Sequence, residues 1–129
     1  MGVWPSRLDH DTLVYWRGLE KRTLTLGRCE DCRHWIHPPR GCCPVCWSDN
    51  IGTDSPSGRA RLYSYVVQPM VAGGPPVVIG WAELEEQERL FIVGPIEGET
   101  AESVRIGAEL TLGWQEALNT FVPSFRQGV

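Results

Sequence analysis

Four of the five cysteines fall into two pairs of one form, Cys29-Glu30-Asp31-Cys32 and Cys43-Pro44-Val45-Cys46, with ten residues between them. Thiolates at this spacing offer four soft donors to one tetrahedral zinc, the closed shell of a structural site. Each pair makes a tight knuckle whose backbone N–H groups point back at the sulfurs. Gly41 and Pro44 suit the second turn. Cys42 leaves another register open, because it too could pair with Cys46, across three residues. The Cys-Pro-x-Cys form and the matched spacing favour Cys43, which leaves Cys42 as a spare, packed as a small apolar side chain. His34 and His37 lie between the pairs and are alternative ligands. Disulfides, a redox Cys-x-x-Cys and unligated buried thiols are the other readings. Met1 to Asp11 is polar and lacks an apolar signal-peptide core, so a reducing cytoplasm is expected, which disfavours disulfides and favours metal.

The elements that must hold these ligands are short. Asp9 or Asp11 suits the N-cap of a helix reaching about Lys21, with Leu13, Trp16 and Leu19 on one face. That aromatic segment either folds onto its own domain or docks on a partner. Thr23 to Gly27 alternates as a strand leading into the first knuckle, and Trp35-Ile36-His37 is a short strand closed by Pro38-Pro39. Asp49 to Gly58 has the composition of a connector. Strand patterning then takes over at 59–68, 77–85, 89–93, 109–115 and 120–125, with turns at 85–88 and 94–100 and one helical turn at 101–104. The expected fold is mainly β: a short N-terminal helical segment (1–22), a zinc ribbon (23–56) and a five-stranded OB-fold barrel (57–129). Gly107 and Gly113 would allow bends at barrel corners.

The 129 residues and 42% hydrophobic content suit one compact core with a small zinc module attached. No stretch of about 20 apolar residues spans a membrane. Net charge is −4, unevenly spread: residues 1–61 hold nine Lys/Arg against seven Asp/Glu, and residues 62–129 hold three against nine. A nucleic-acid binder needs a basic face, and the acidic second half lacks one. Arg28, Arg33, Arg40, Arg59 and Arg61 suit one small phosphorylated ligand, or else offset the thiolate charge. The Glu83, Glu85, Glu86 and Glu88 cluster reads as a solvated hairpin tip rather than acid–base machinery. The common hydrolase, nucleotide-hydrolase and dinucleotide signatures are absent. A zinc with four thiolates has no open position to activate water, so the chain does not read as a self-sufficient enzyme.

The order of motifs carries a resemblance. Tyr15-Trp16-Arg17-Gly18-Leu19 precedes Leu26-Gly27-Arg28 and the first cysteine pair. Trp35-Ile36-His37-Pro38-Pro39-Arg40 separates the pairs, and Ser57-Gly58-Arg59-Ala60-Arg61-Leu62-Tyr63-Ser64-Tyr65 follows them. Val104-Arg105-Ile106-Gly107 and Pro123-Ser124-Phe125-Arg126 close the chain. This resembles the DUF35 family, a rubredoxin-like zinc ribbon followed by an acyl-CoA-associated OB-fold, over nearly the whole chain. The Gly- and Pro-rich Val67–Val78 loop and the glycine-free Glu85–Glu88 turn depart from common members.

The resemblance implies an accessory subunit of a thiolase-superfamily enzyme: a thiolase, an acetyltransferase or a thiolase-like aldolase of steroid side-chain degradation. It implies a hetero-oligomer built around a thiolase dimer whose catalytic residues belong to the partner, an acyl-CoA ligand, and in the steroid pathway association with a hydratase. Arg40 and Arg59 are the candidate guanidiniums for the CoA phosphates, and Met70 and Val71 for its apolar arm. The competing class is a nucleic-acid-binding zinc-ribbon/OB-fold protein.

Overall fold

A computed structural model describes residues 13–69, 74–117 and 120–128, without the side chains of residues 13, 14 and 117. Asp9, Asp11, Met70 and Val71 lie outside the described residues. The element order is α1 (Leu13–Glu20), β1 (Leu26–Cys29), β2 (Trp35–Ile36), β3 (Ile51–Asp54), β4 (Arg59–Gln68), β5 (Val77–Leu84), β6 (Phe91–Glu97), β7 (Glu109–Ala117) and β8 (Thr120–Gln127). No helix among the described residues is long and apolar enough to cross a membrane. The chain forms two compact units, residues 1–56 with 116–121, and residues 57–115 with 122–129.

In the first unit, β1 is the centre of a three-stranded antiparallel sheet, with β2 on one side and β3 on the other. Leu19, Leu24, Leu26, Trp35 and Ile36 are buried. β3 overturns the expectation of a bare connector over 49–58. Its four residues pair with the whole of β1, Leu26 opposite Asp54 and Cys29 opposite Ile51. Such a strand is specified by its neighbour's free edge rather than by its own hydrophobic alternation.

The second unit is a closed barrel in the order β4-β5-β6-β8-β7. β4 pairs antiparallel with β5 and β7, and β5 with β6, whereas Ile96 and Glu97 of β6 run parallel to Phe125 and Arg126 of β8. This closure is that of an OB-fold. Alternation sends Val78, Ala82 and Leu84 of β5, and Ile92 and Ile96 of β6, into the core beside Phe125. Gly80 and Gly94 fill the remaining inward positions because nothing larger fits. A Cβ on Gly80 would meet Leu62 and Ile96, and one on Gly94 would run into the Pro123 carbonyl. β6 therefore continues through Gly94-Pro95, where a turn was expected. At 101–104 the expected single helical turn is closed by the Val104 N–H donating to the Thr100 carbonyl at 3.0 Å, and Ser103 Oγ accepts the Thr100 N–H at 2.8 Å.

Candidate metal centre

The end of β1 delivers Cys29, and the chain then turns back on itself. The Arg33 N–H donates to the Cys29 carbonyl at 3.0 Å, closing the first knuckle. The second knuckle repeats this closure, with the Trp47 N–H donating to the Cys43 carbonyl at 2.9 Å. In both, the residue after the second cysteine has a left-handed backbone, φ 67° at Arg33 and 64° at Trp47. Residues with a Cβ reach this region only at a cost, so the knuckle geometry overrides local preference twice. Nothing in the residue types signals it; the signal is positional, one step past each Cys-x-x-Cys.

These turns bring one sulfur from each of Cys29, Cys32, Cys43 and Cys46 to within 4.8 Å of one another. Two contacts between the pairs are 3.5 Å (Cys29–Cys46) and 3.6 Å (Cys32–Cys43). Four sulfurs about 2.3 Å from a central zinc form a tetrahedron with edges of about 3.8 Å, so the cluster has the size this ion needs. The Cys32 N–H donates to Cys29 Sγ and the Val45 N–H to Cys43 Sγ, both at 3.4 Å. Asp31 ties the knuckles together, its carboxylate accepting Ser48 Oγ and, at 3.4 Å, Asn50 Nδ2. Those two bonds hold the Asp31 carboxyl below the usual carboxylate range.

Electrostatics supplies a second test of fit. The Cys32 N–H draws the Cys29 thiol down to about 7. Cys46 moves the other way. The Ser48 backbone bond lowers it, but burial and the three neighbouring sulfurs outweigh that and push it up to about 12. Four thiolates packed this closely repel one another and need a cation between them. The residues present therefore fit one structural zinc.

Cys42 is exposed and outside the cluster, not packed as an apolar side chain as expected. Neither His34 nor His37 belongs to it. His37 instead stacks at 5.1 Å on Tyr15, whose phenol burial pushes up to about 12. Burial also lowers the pKa of His37, and its Nδ1 has no hydrogen-bond partner among the described residues.

The arginines separate by their partners. Arg28 lies over the Trp35 ring at 4.3 Å and pairs with Asp54 at 3.0 Å; Arg33 reaches Asp54 and Glu30, each at 3.5 Å. Arg59 pairs with Glu85 at 2.7 Å and Arg61 with Glu109 at 3.9 Å. Carboxylates, not thiolates, balance these four. Arg40 has no carboxylate partner among the described residues and lines a cleft of about 320 Å³ in the first unit with Tyr15, Thr25, Asp49 and Thr53. Arg59 lies in the second unit.

Residues 16–52 match the family described as ChsH2, rubredoxin-like zinc ribbon domain, and residues 55–115 the ChsH2 C-terminal OB-fold domain. The solved structure titled Ltp2-ChsH2(DUF35) aldolase holds a chain 31% identical to this one. The two superpose with a TM-score of 0.87 over 98% of this chain and 100% of that one. The chain belongs to the DUF35 family. A DUF35 protein of unknown function from Sulfolobus solfataricus shares the fold at 18% identity, with a TM-score of 0.63 over 90% of this DUF35 chain and 84% of that protein. A curated relative from Thermomonospora curvata, a probable enoyl-CoA hydratase alpha subunit, is 32% identical over 126 residues. That match takes in 95% of this DUF35 chain but only 39% of the relative's length.

Proposed function

We propose that the chain is a non-catalytic, zinc-containing accessory subunit of a thiolase-superfamily enzyme in the cytoplasm, docking on that enzyme and helping it bind acyl-CoA. One observation carries this reading: the end-to-end correspondence with the ChsH2 chain of the Ltp2–ChsH2 aldolase. In this reading Cys29, Cys32, Cys43 and Cys46 hold the zinc. Four thiolates fill a tetrahedral shell, so the ion folds the ribbon and leaves no site for substrate. The ribbon residues do the positioning. Arg40, in no ion pair among the described residues, meets a phosphate of CoA with its guanidinium. Arg59 is the weaker candidate because Glu85 already occupies it. Met70 and Val71 complete the set as contacts for the apolar arm. The name of the Thermomonospora relative favours a hydratase as an additional partner, receiving or supplying the same acyl-CoA. Nucleic acid is disfavoured by the acidic second half.

The test is reconstitution with Ltp2, read by light scattering for assembly and by cleavage of an aldol acyl-CoA thioester for activity. Assembly with activity, and no turnover by the zinc-loaded chain alone, is the expected result. Arg40→Ala should weaken thioester binding by the complex about tenfold, while assembly and zinc content persist. Failure to assemble, or turnover by the isolated chain, refutes the reading.

A further inference from the structure

The barrel carries Tyr63, Trp81 and Phe91 on the outer side of β4, β5 and β6. Pairing aligns Val66 with Ile79 and Pro95, Ser64 with Trp81 and Val93, and Arg61 with Glu83 and Phe91, in three rows across β4, β5 and β6. A bulge between Leu62 and Ser64 throws Tyr63 outward, and its ring packs 4.9 Å from Phe91. Tyr63, Val66, Trp81 and Val93 are exposed, and Ile79 and Phe91 are half-buried. A contiguous apolar stripe across three strands is more than the scatter of single exposed residues that any surface shows. The last row runs into a cleft of about 300 Å³ lined by Arg59, Arg61, Glu83, Glu85, Glu88 and Glu109.

The cleft decides what the stripe can receive. Aromatic faces on an OB-fold suit stacked bases, but single strands also need cations along their backbone. Among the described residues, the two cations lining this cleft are paired with Glu85 and Glu109, and carboxylates outnumber them. That balance disfavours a polyanionic strand. A second copy is disfavoured too, since residues 62–129 hold nine acids against three bases. The charge complement is a protein surface with an apolar patch flanked by a lysine or arginine that enters the cleft.

We propose that the outer face of β4, β5 and β6, with the acidic cleft at its end, is the docking surface for the thiolase-like partner. This rests on the function proposed above and assigns the interface to it. Trp81 is the anchor, since truncation of a buried interface aromatic costs most, and Val93 lies opposite it in the same row.

The experiment measures Ltp2 binding by calorimetry for the full zinc-loaded chain and its variants. Val93→Glu changes an outward side chain that is 47% exposed and should leave melting temperature and zinc content unchanged. It should weaken binding at least about 30-fold, as a hot spot of about 2 kcal/mol does. Trp81→Ser should do the same, Glu88→Lys should weaken binding most at low salt, and Ile106→Glu, outside these strands, should bind like the parent. If parent and stripe variants bind equally well, the docking surface is elsewhere and the accessory function stands. Absence of parent binding refutes both. Self-association abolished by Val93→Glu assigns the face to a second copy and overturns the proposal. So does oligothymidine binding abolished by the same variant.

Discussion

Replacing Cys43 by serine, beside the same change at Cys42, tests which thiols hold the metal. The two residues are adjacent, yet Cys43 is fully buried inside the four-sulfur cluster and Cys42 is exposed outside it. Structural zinc contributes roughly 10–16 kcal/mol to the folding of such modules. One ligand's share is about 3–4 kcal/mol, so Cys43→Ser should weaken zinc binding on the order of 10²–10³-fold. The ribbon has little to fall back on. Its apolar cluster at the metal consists of Cys29, Ile36 and Cys43, with Ile51 packed against it. A domain holds only about 5–15 kcal/mol in total, so Cys43→Ser should also melt the ribbon at zinc concentrations that saturate the parent. Cys42→Ser should bind and melt like the parent. Competition against a chromophoric chelator gives the affinity, and far-UV melts with and without zinc give the stability. The sign of the pH effect is fixed as well. Without metal the last thiol to ionise is pushed up to about 12, so zinc displaces protons and its affinity must fall as pH falls. Loss of zinc from Cys42→Ser together with its retention by Cys43→Ser would refute the assignment.

Two further outcomes are open to measurement. At Trp47, which is 76% exposed with φ 64°, glycine relieves a left-handed cost of about 1 kcal/mol that a β-branched residue aggravates; zinc-loaded melts should rank Trp47→Gly at or above the parent and Trp47→Val below it, and the reverse order would deny strain at the knuckle. The Ser124 hydroxyl is fully buried without a hydrogen-bond partner among the described residues, a burden of about 1–3 kcal/mol. Ser124→Ala should therefore raise the barrel's melting temperature by a few degrees, and a drop would reveal a partner for the hydroxyl.

What the sequence disclosed divides along physical lines. The cysteine spacing was legible because a tetrahedral shell admits few patterns. The barrel strands were legible because Val78, Ala82 and Leu84 alternate with outward residues. β3 was not, since its pairing with β1 is a property of two segments at once. The continuation of β6 through Gly94-Pro95 was hidden for the opposite reason: glycine reads as a turn until the Pro123 backbone beside it shows that space, not flexibility, requires it. The arginines were hardest, because charge alone does not say which carboxylate lies 26 residues away, as Glu85 does from Arg59.

The parallel seam between β6 and β8 has a consequence for biosynthesis. Ile96 cannot meet Phe125 until residue 125 has left the ribosome, whereas all four clustered cysteines lie before residue 47. Chains emerge N-terminus first, at about 5–20 residues per second. The metal site can thus be complete while the barrel is still an open sheet with its apolar interior uncovered. A cell short of zinc during translation would hold a nascent chain with neither part closed, and quality control would meet the shortage before any partner enzyme did.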